Sequence, residues 1–173
     1  MEVVIRRART ADVQGIRELV DLYGGSGRRL LQKTTVTLFE DVQEFWVAED
    51  VQDASGGRLV GCGALHVMWE DLAEVRSVAV AKGYGGRGIG HRIVTRLLET
   101  AAELGVRRVF CLTFEVDFFS RHGFQPILGT PVSPEVFEEL LRSYDDGVAE
   151  FLDLDRVKPN TLGNTRMLLR LED

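Results

Sequence analysis

The sequence predicts an α/β (α+β) fold with a mixed central β-sheet flanked by helices. Three observations carry that expectation. Strand-length apolar runs are joined by short polar turns such as DASGG at 53–57, which is hairpin punctuation. One run instead ends in a glycine loop that opens a helix and leads to a further strand. Other stretches repeat apolar residues with helical period. At 173 residues the chain has room for a single domain, 1–173, with a sizeable core.

Val3–Arg7 reads as the opening strand. Thr10 or Asp12 can cap a helix through Tyr23, because Val13, Ile16, Leu19, Val20 and Tyr23 share one face. GGSGRR breaks it, and Thr35 to about Val42 is a second short helix. Phe45–Glu49 and Arg58–Val67 are strands. The longer one passes through Gly61 and Gly63, which suits close approach by a neighbouring element. Trp69–Asp71 turns the chain into strand Leu72–Val80. The main helix is His91–Leu104, with Ile93, Val94, Leu97, Leu98, Ala101 and Leu104 apolar, and Gly105 ends it. Val106–Thr113 is a strand and Asp117–His122 a short helix. Ser133 followed by Pro134 starts a helix to Ser143, and Arg166–Leu171 is the closing strand.

Composition excludes several classes of function. Hydrophobic residues at 45% and charged residues at 28% suit a soluble globular protein. A net charge of −6 argues against a nucleic-acid partner, which would need a basic face. Basic residues do gather at Arg28, Arg29 and Lys33, and at Arg87, Arg92 and Arg96. No apolar run reaches the length of a membrane span, and MEVVIRRART lacks the apolar region of a signal peptide. Cys62 and Cys111 sit in apolar strands, as buried thiols of a cytoplasmic protein do. The histidines at 66, 91 and 122 have no metal-ligand spacing, so no metal is expected.

The segment from Val78 to Gly90 reads VAVAKGYGGRGIG and runs into HRIVTRLLETAAEL. Glycines let the backbone approach a phosphate, and the N–H groups and dipole of the helix start favour its charge. Gly83, Gly85 and Gly88 fit a dinucleotide fingerprint, but the residues some twenty positions on are the basic Arg107 and Arg108, where an acid is needed. A P-loop requires Lys then Ser or Thr after its last glycine, and here Ile89 and Gly90 follow Gly88. The strand, the G-R-G-I-G loop and the helix resemble the acetyl-CoA site of the GNAT acetyltransferase superfamily. RHGF at Arg121–Phe124 resembles that family's glycine turn after the following strand and short helix. The resemblance covers roughly Val3 to Phe124. It implies a GNAT fold, acetyl-CoA as co-substrate, and a cofactor site of Val78, Ala79 and Val80 on the strand with Gly85, Gly86, Arg87, Gly88, Ile89, Gly90 and His91 in the loop and helix start. Gly85 stands where the family usually has Arg or Gln.

Acetyl transfer from a thioester to an amine needs a base, N–H donors for the oxyanion and a proton for the leaving thiolate. The GNAT resemblance assigns the donors to the backbone of Val78 to Val80. Glu74 is the candidate base. On an uninterrupted strand Glu74, Arg76 and Val78 share a face, and a bulge would change that. Thr113, at the end of the next strand, is the candidate acid. The family's usual acid is a Tyr four residues before the glycine of the short-helix turn, and this chain has Phe119 there, so a hydroxyl such as Thr113 or Ser120 acts instead, or none does.

A narrower resemblance is to short, single-domain bacterial N-acetylglutamate synthases of arginine biosynthesis. It rests on LLQKT at Leu30–Thr34, VQEFWVAE at Val42–Glu49, GCGALHV at Gly61–Val67, EVRSVAV at Glu74–Val80, LTFEVDFFSRHGF at Leu112–Phe124, VAEFLDL at Val148–Leu154 and KPNTLGNTRMLL at Lys158–Leu169. It implies an amino-acid N-acetyltransferase acting on the α-amine of L-glutamate, with Glu74 as base and Thr113 as acid. It also places Lys33 where related domains contact the substrate carboxylate. A Lys is a weaker bidentate clamp than Arg, so L-glutamine is a second acceptor to weigh. Arg76, Arg166 and Lys158 are further cations for the acceptor. The GNAT resemblance also suggests a homodimer. Two rivals stand beside this reading: a GNAT enzyme for another small amine or peptide N-terminus, and a non-catalytic module that senses acetyl-CoA or an amino acid.

Overall fold

The computed structural model describes residues 1–24, 33–157 and 163–172. Seven strands form one sheet in the order β1-β2-β3-β4-β5-β7-β6. They are β1 (Val3–Arg7), β2 (Phe45–Asp50), β3 (Arg58–Trp69), β4 (Leu72–Val80), β5 (Arg108–Thr113), β6 (Gln125–Pro126) and β7 (Thr165–Arg170). Every neighbouring pair is antiparallel except β4 with β5, so the sheet is mixed, as expected. The helices are α1 (Val13–Gly24), α2 (Thr35–Glu40), α3 (Ile89–Glu103), α4 (Val116–Ser120), α5 (Pro134–Leu140) and α6 (Asp146–Phe151). The sequence reading had no α6 and no β6. It also ran α5 on to Ser143, where the helix stops at Leu140.

Local chemistry explains most boundaries. A 3₁₀ turn at Thr10–Asp12 leads into α1. There the Asp12 carboxylate accepts from the Arg9 N–H at 2.7 Å and from the Arg6 guanidinium at 2.7 and 2.9 Å. Thr34, Ser133 and Asp145 cap α2, α5 and α6 through their side-chain oxygens. Val13, Ile16, Leu19 and Val20 of α1 and Ile93, Val94, Leu97 and Ala101 of α3 are buried in the main core. Leu104 is an exception to the expected apolar face: it falls just past the end of α3 and is exposed. α3 sits close on β3 because Gly61 and Gly63 have no side chains. A Cβ at either would come within 2.8 Å of Ile93. A second apolar cluster, with Leu72, Phe110, Leu140, Phe151 and Leu168 at its centre, packs α5 and α6 on the sheet.

Two irregularities shape the middle of the sheet. β4 and β5 pair only at Leu72, Ala73 and Glu74 with Arg108, Val109 and Phe110, and beyond that point the register stops. β4 also bulges: Ala64 faces Arg76 while Cys62 faces Ala79, which puts Ser77 and Val78 opposite Gly63 alone. Ser77 takes φ 56°, a left-handed conformation that costs energy in a residue with a side chain.

Candidate active site

The gap between β4 and β5 holds two adjoining cavities. One, of about 370 Å³, is polar and takes in Lys33, Thr37, Asp41, Glu74, Tyr144 and Asp145. The other, of about 430 Å³, is mostly apolar and includes Tyr23, Val78, Val80, Gly85, Gly90, Thr113, Phe118 and Phe119. Arg76, Ser77, Leu112 and Asn164 line both. The arrangement is a polar chamber and an apolar cleft with a shared wall.

The polar chamber contains a network of charges. Arg76 makes a bidentate bond to Asp145, Nη1–Oδ2 at 2.8 Å and Nη2–Oδ1 at 3.0 Å. Its Nε lies 3.1 Å from Glu74 Oε2, yet the two are not aligned for a hydrogen bond, and both atoms are buried without a hydrogen-bond partner. Burial raises the Glu74 carboxyl above the ordinary carboxylate range; the Arg76 charge opposes this and Asp145 adds to it. For Asp145, burial pushes upward, but the Arg76 bonds and charge prevail and leave it at about 2. Lys33 Nζ is held by Asp41 at 2.6 Å. His66 bonds Glu44 through Nδ1 at 2.7 Å, and its Nε2 is 3.9 Å from Asp145.

The bulge overturns one expectation for β4. Glu74 and Arg76 do share a face, turned toward α6, but Val78 lies against the Gly63 and α3 side with the main core. Val78, Ala79 and Val80 still border the cleft. Because β5 has left the ladder by then, one backbone edge of this stretch faces the opening. Tyr23 donates its hydroxyl to the Val80 carbonyl at 2.6 Å and so fixes the end of the strand.

The glycine loop enters α3 through Gly86 and Gly88, at φ 72° and 74°, with Gly88 as the left-handed N-cap. A Cβ on Gly83, Gly85, Gly86 or Gly88 would meet nothing within 4 Å, so the loop faces open space at these four positions. Only Gly85 and Gly90 of the loop border the cleft. The Ile89 side chain is core rather than site, buried beside Gly61. Arg87 lies over the Tyr84 ring and donates to Met1 Sδ. His91 is engaged on the α4 side: its Nδ1 shares a hydrogen bond with His122 Nε2 at 2.8 Å, and its ring packs on Phe118, which borders the cleft.

Thr113 borders the cleft, and its Oγ1 accepts from the Glu115 N–H at 2.8 Å. Phe119 also borders it, with an apolar ring at the position where the hydroxyl was sought. Arg166, expected among the acceptor's cations, lies outside both cavities. Its guanidinium donates to the carbonyls of Gly129, Glu150 and Phe151, and burial lowers its pKa. Lys158, Arg28 and Arg29 lie outside the described residues. Sequence reasoning missed Asp145, Tyr144, Ser77 and Asn164. Asp145 alone left a signal, since an Asp before a short apolar run is a helix cap.

The model of the acetyltransferase (GNAT) family matches residues 16–124, and the chain belongs to that family. Among its relatives, it is 62% identical over 168 residues to the amino-acid acetyltransferase of Mycobacterium tuberculosis, covering 97% of this chain and 94% of that one. A crystal structure of a Mycobacterium tuberculosis protein in complex with CoA and NLQ, also 62% identical, superposes with a TM-score of 0.91 over 98% of this chain and 99% of that one. N-acetylglutamate synthase from Neisseria gonorrhoeae, complexed with coenzyme A and N-acetyl-glutamate, is 22% identical. It shares the fold at a TM-score of 0.75 over the whole of this chain and 36% of its own.

Proposed function

We propose that this chain transfers the acetyl group of acetyl-CoA to the α-amine of a small amino acid, L-glutamate, with L-glutamine as a further acceptor. The observation that carries the proposal is the junction itself: a polar chamber with a buried carboxylate opens onto an apolar cleft that ends at a glycine loop. The relatives named for amino-acid acetylation, and the one solved with CoA, support the same reading. The resemblance to arginine-pathway synthases supports a role in the first step of arginine biosynthesis.

In this mechanism acetyl-CoA supplies the thioester, and the chain does the rest. Val78 to Val80 and the loop glycines line its path, and the open backbone edge of β4 offers N–H groups to the thioester oxygen. Glu74 takes the ammonium proton. Its upward shift brings a carboxylate closer to the operating pH, where a base is most effective. The amine nitrogen then bonds to the carbonyl carbon as the carbon–sulfur bond breaks; Thr113 passes its hydroxyl proton to the sulfur and takes in exchange the second proton that the nitrogen sheds on becoming an amide. Lys33 retains donors beyond its bond to Asp41 and is the best-placed cation for the acceptor's carboxylate. Arg76 has both terminal nitrogens engaged by Asp145 and contributes charge rather than a clamp.

Charge also bears on the acceptor. Asp41, Glu74, Asp145 and Asp146 line the chamber against Lys33 and Arg76 among the described residues. An amide side chain meets less repulsion there than a second carboxylate. We carry forward a single domain, a homodimer and a cytoplasmic location with this function; the buried free thiols of Cys62 and Cys111 support the last. Among the described residues no helix is long and apolar enough to cross a membrane.

The test is thiol release from acetyl-CoA with a panel of amino acids, spermidine, an aminoglycoside and a short peptide. Turnover confined to glutamate and glutamine is expected, with Glu74→Gln slower by about 10²–10⁴-fold. Turnover with a different amine class would discard the acceptor, and none at all would favour a sensing module.

A further inference from the structure

We propose that Asp145 is a positioning residue for Glu74: it occupies both terminal nitrogens of Arg76, so that the guanidinium lends its charge to the site without capping the carboxylate. The inference rests on Glu74 being the base. Its basis is a mismatch in the geometry. A guanidinium 3.1 Å from a carboxylate would ordinarily form two parallel hydrogen bonds with it. Here both Nη atoms point to Asp145 at 2.8 and 3.0 Å, and only Nε faces Glu74, out of line for a hydrogen bond. Glu74 Oε2 and Arg76 Nε are left buried and without a hydrogen-bond partner. A buried carboxylate oxygen without a partner is costly to fold around, and it is what a proton acceptor needs.

Asp145 is itself fixed on two further sides. Its Oδ1 caps α6 by accepting from the Val148 N–H at 3.1 Å, and its own N–H donates to Ser143 Oγ at 3.2 Å. α6 then brings Gly147 against the Glu74 carboxyl with no room for a side chain. The groups that face Glu74 come from every side. Arg76 lies on its own strand, and His66 on β3 is its cross-strand partner. Asp145 approaches from α6, Lys33 from the segment before α2, and the buried Cys111 thiol from β5. Glu44, bonded to His66, adds its charge to Arg76. Asp145 alone both holds the guanidinium and adds negative charge beside Glu74.

The experiment is kcat/KM against pH at saturating acetyl-CoA for the full chain and for Asp145→Asn, Asp145→Ser and Glu74→Gln. Asn and Ser both cap helices, so α6 keeps its start while the ion pair is lost. With Arg76 released onto Glu74 and one negative charge gone, the acid limb should move to lower pH by about one unit in both variants. The plateau should fall severalfold, because a weaker base remains. If activity or melting temperature drops while the limb stays in place, Asp145 is a cap and nothing more, and the proposal is overturned. Loss of the fold in both variants overturns it as well, by making Asp145 a fold determinant. Glu74→Gln separates the two failures. A limb retained in Glu74→Gln belongs to another group and removes the base assignment, whereas a limb lost there but unmoved in both Asp145 variants removes only the clamp.

Discussion

In the proposed mechanism Thr113 meets two demands with one oxygen. Oγ1 accepts from the Glu115 N–H and so steadies the turn into α4, and the hydroxyl proton is the one proposed to pass to the sulfur. Thr113→Val keeps the shape and removes both capacities. Loss of the bond from the Glu115 N–H should cost about 1 kcal/mol of stability. The rate constant should fall about tenfold, a small effect for acid catalysis because a thiolate leaves readily. The KM for acetyl-CoA should change little, since the hydroxyl acts after binding. Steady-state kinetics at varied acetyl-CoA, with Thr113→Ser as the restoring variant, check this split. An unaltered kcat in Thr113→Val would show that the thiolate leaves unaided.

At the scale of elements, β4 and α6 both wall the polar chamber, and Gly147 is where they touch. A Cβ there would collide with the carboxyl end of Glu74. That end is flexible but buried, so Gly147→Ala should leave the fold in place and push the base aside. We expect kcat to fall at least tenfold with a melting temperature lowered by only a few degrees, measured by thiol release and differential scanning fluorimetry. β4 also shows what the sequence could and could not reveal. Its apolar pattern and its glycine loop were legible because period and loop chemistry are local. The bulge at Ser77 was not, because it is set by pairing with β3, and nothing in EVRSVAV marks where the register slips. α6 escaped for a related reason: at six residues it is too short to show a period, and it stands on its Asp145 cap and on the burial of Val148, Ala149 and Phe151. Glu74 and Thr113 could be named because each lies on a readable strand, Glu74 on the one that leads into the glycine loop and Thr113 at the end of the next. Asp145 could be read as a helix cap but not as part of the site, because its partner Arg76 is 69 positions away. Arg166 looked like a substrate cation because a sequence does not show carbonyls converging on a guanidinium.

For the whole molecule, buried ion pairs tie stability to pH. Asp145 at about 2, against an ordinary value of 3.8, contributes stability that is fully present above 3.8 and is lost as pH falls through 2. Asp12 acts in the same direction: its bonds to Arg6 lower it, against the opposing effect of burial. Glu74 acts in the opposite sense, since a raised carboxyl costs stability as pH climbs past its ordinary value. Urea midpoints at pH 6 and pH 2 should therefore show Asp145→Asn weaker by on the order of 2 kcal/mol at pH 6 and nearly level with the parent at pH 2. A constant deficit at both would mean that the pair adds nothing beyond its cap. The mid-sheet gap has a consequence in mechanical terms. The strand ladder is stitched across β4 and β5 by three register pairs at one end and is free at the other, which is the construction of a pair of tongs. The stitched end is the pivot, and the jaws are the end of β4 on one side and the end of β5 on the other. All the backbone bonds that hold the two halves of the sheet together along this line lie at the pivot, so a force applied between the jaws acts on them with the longest lever.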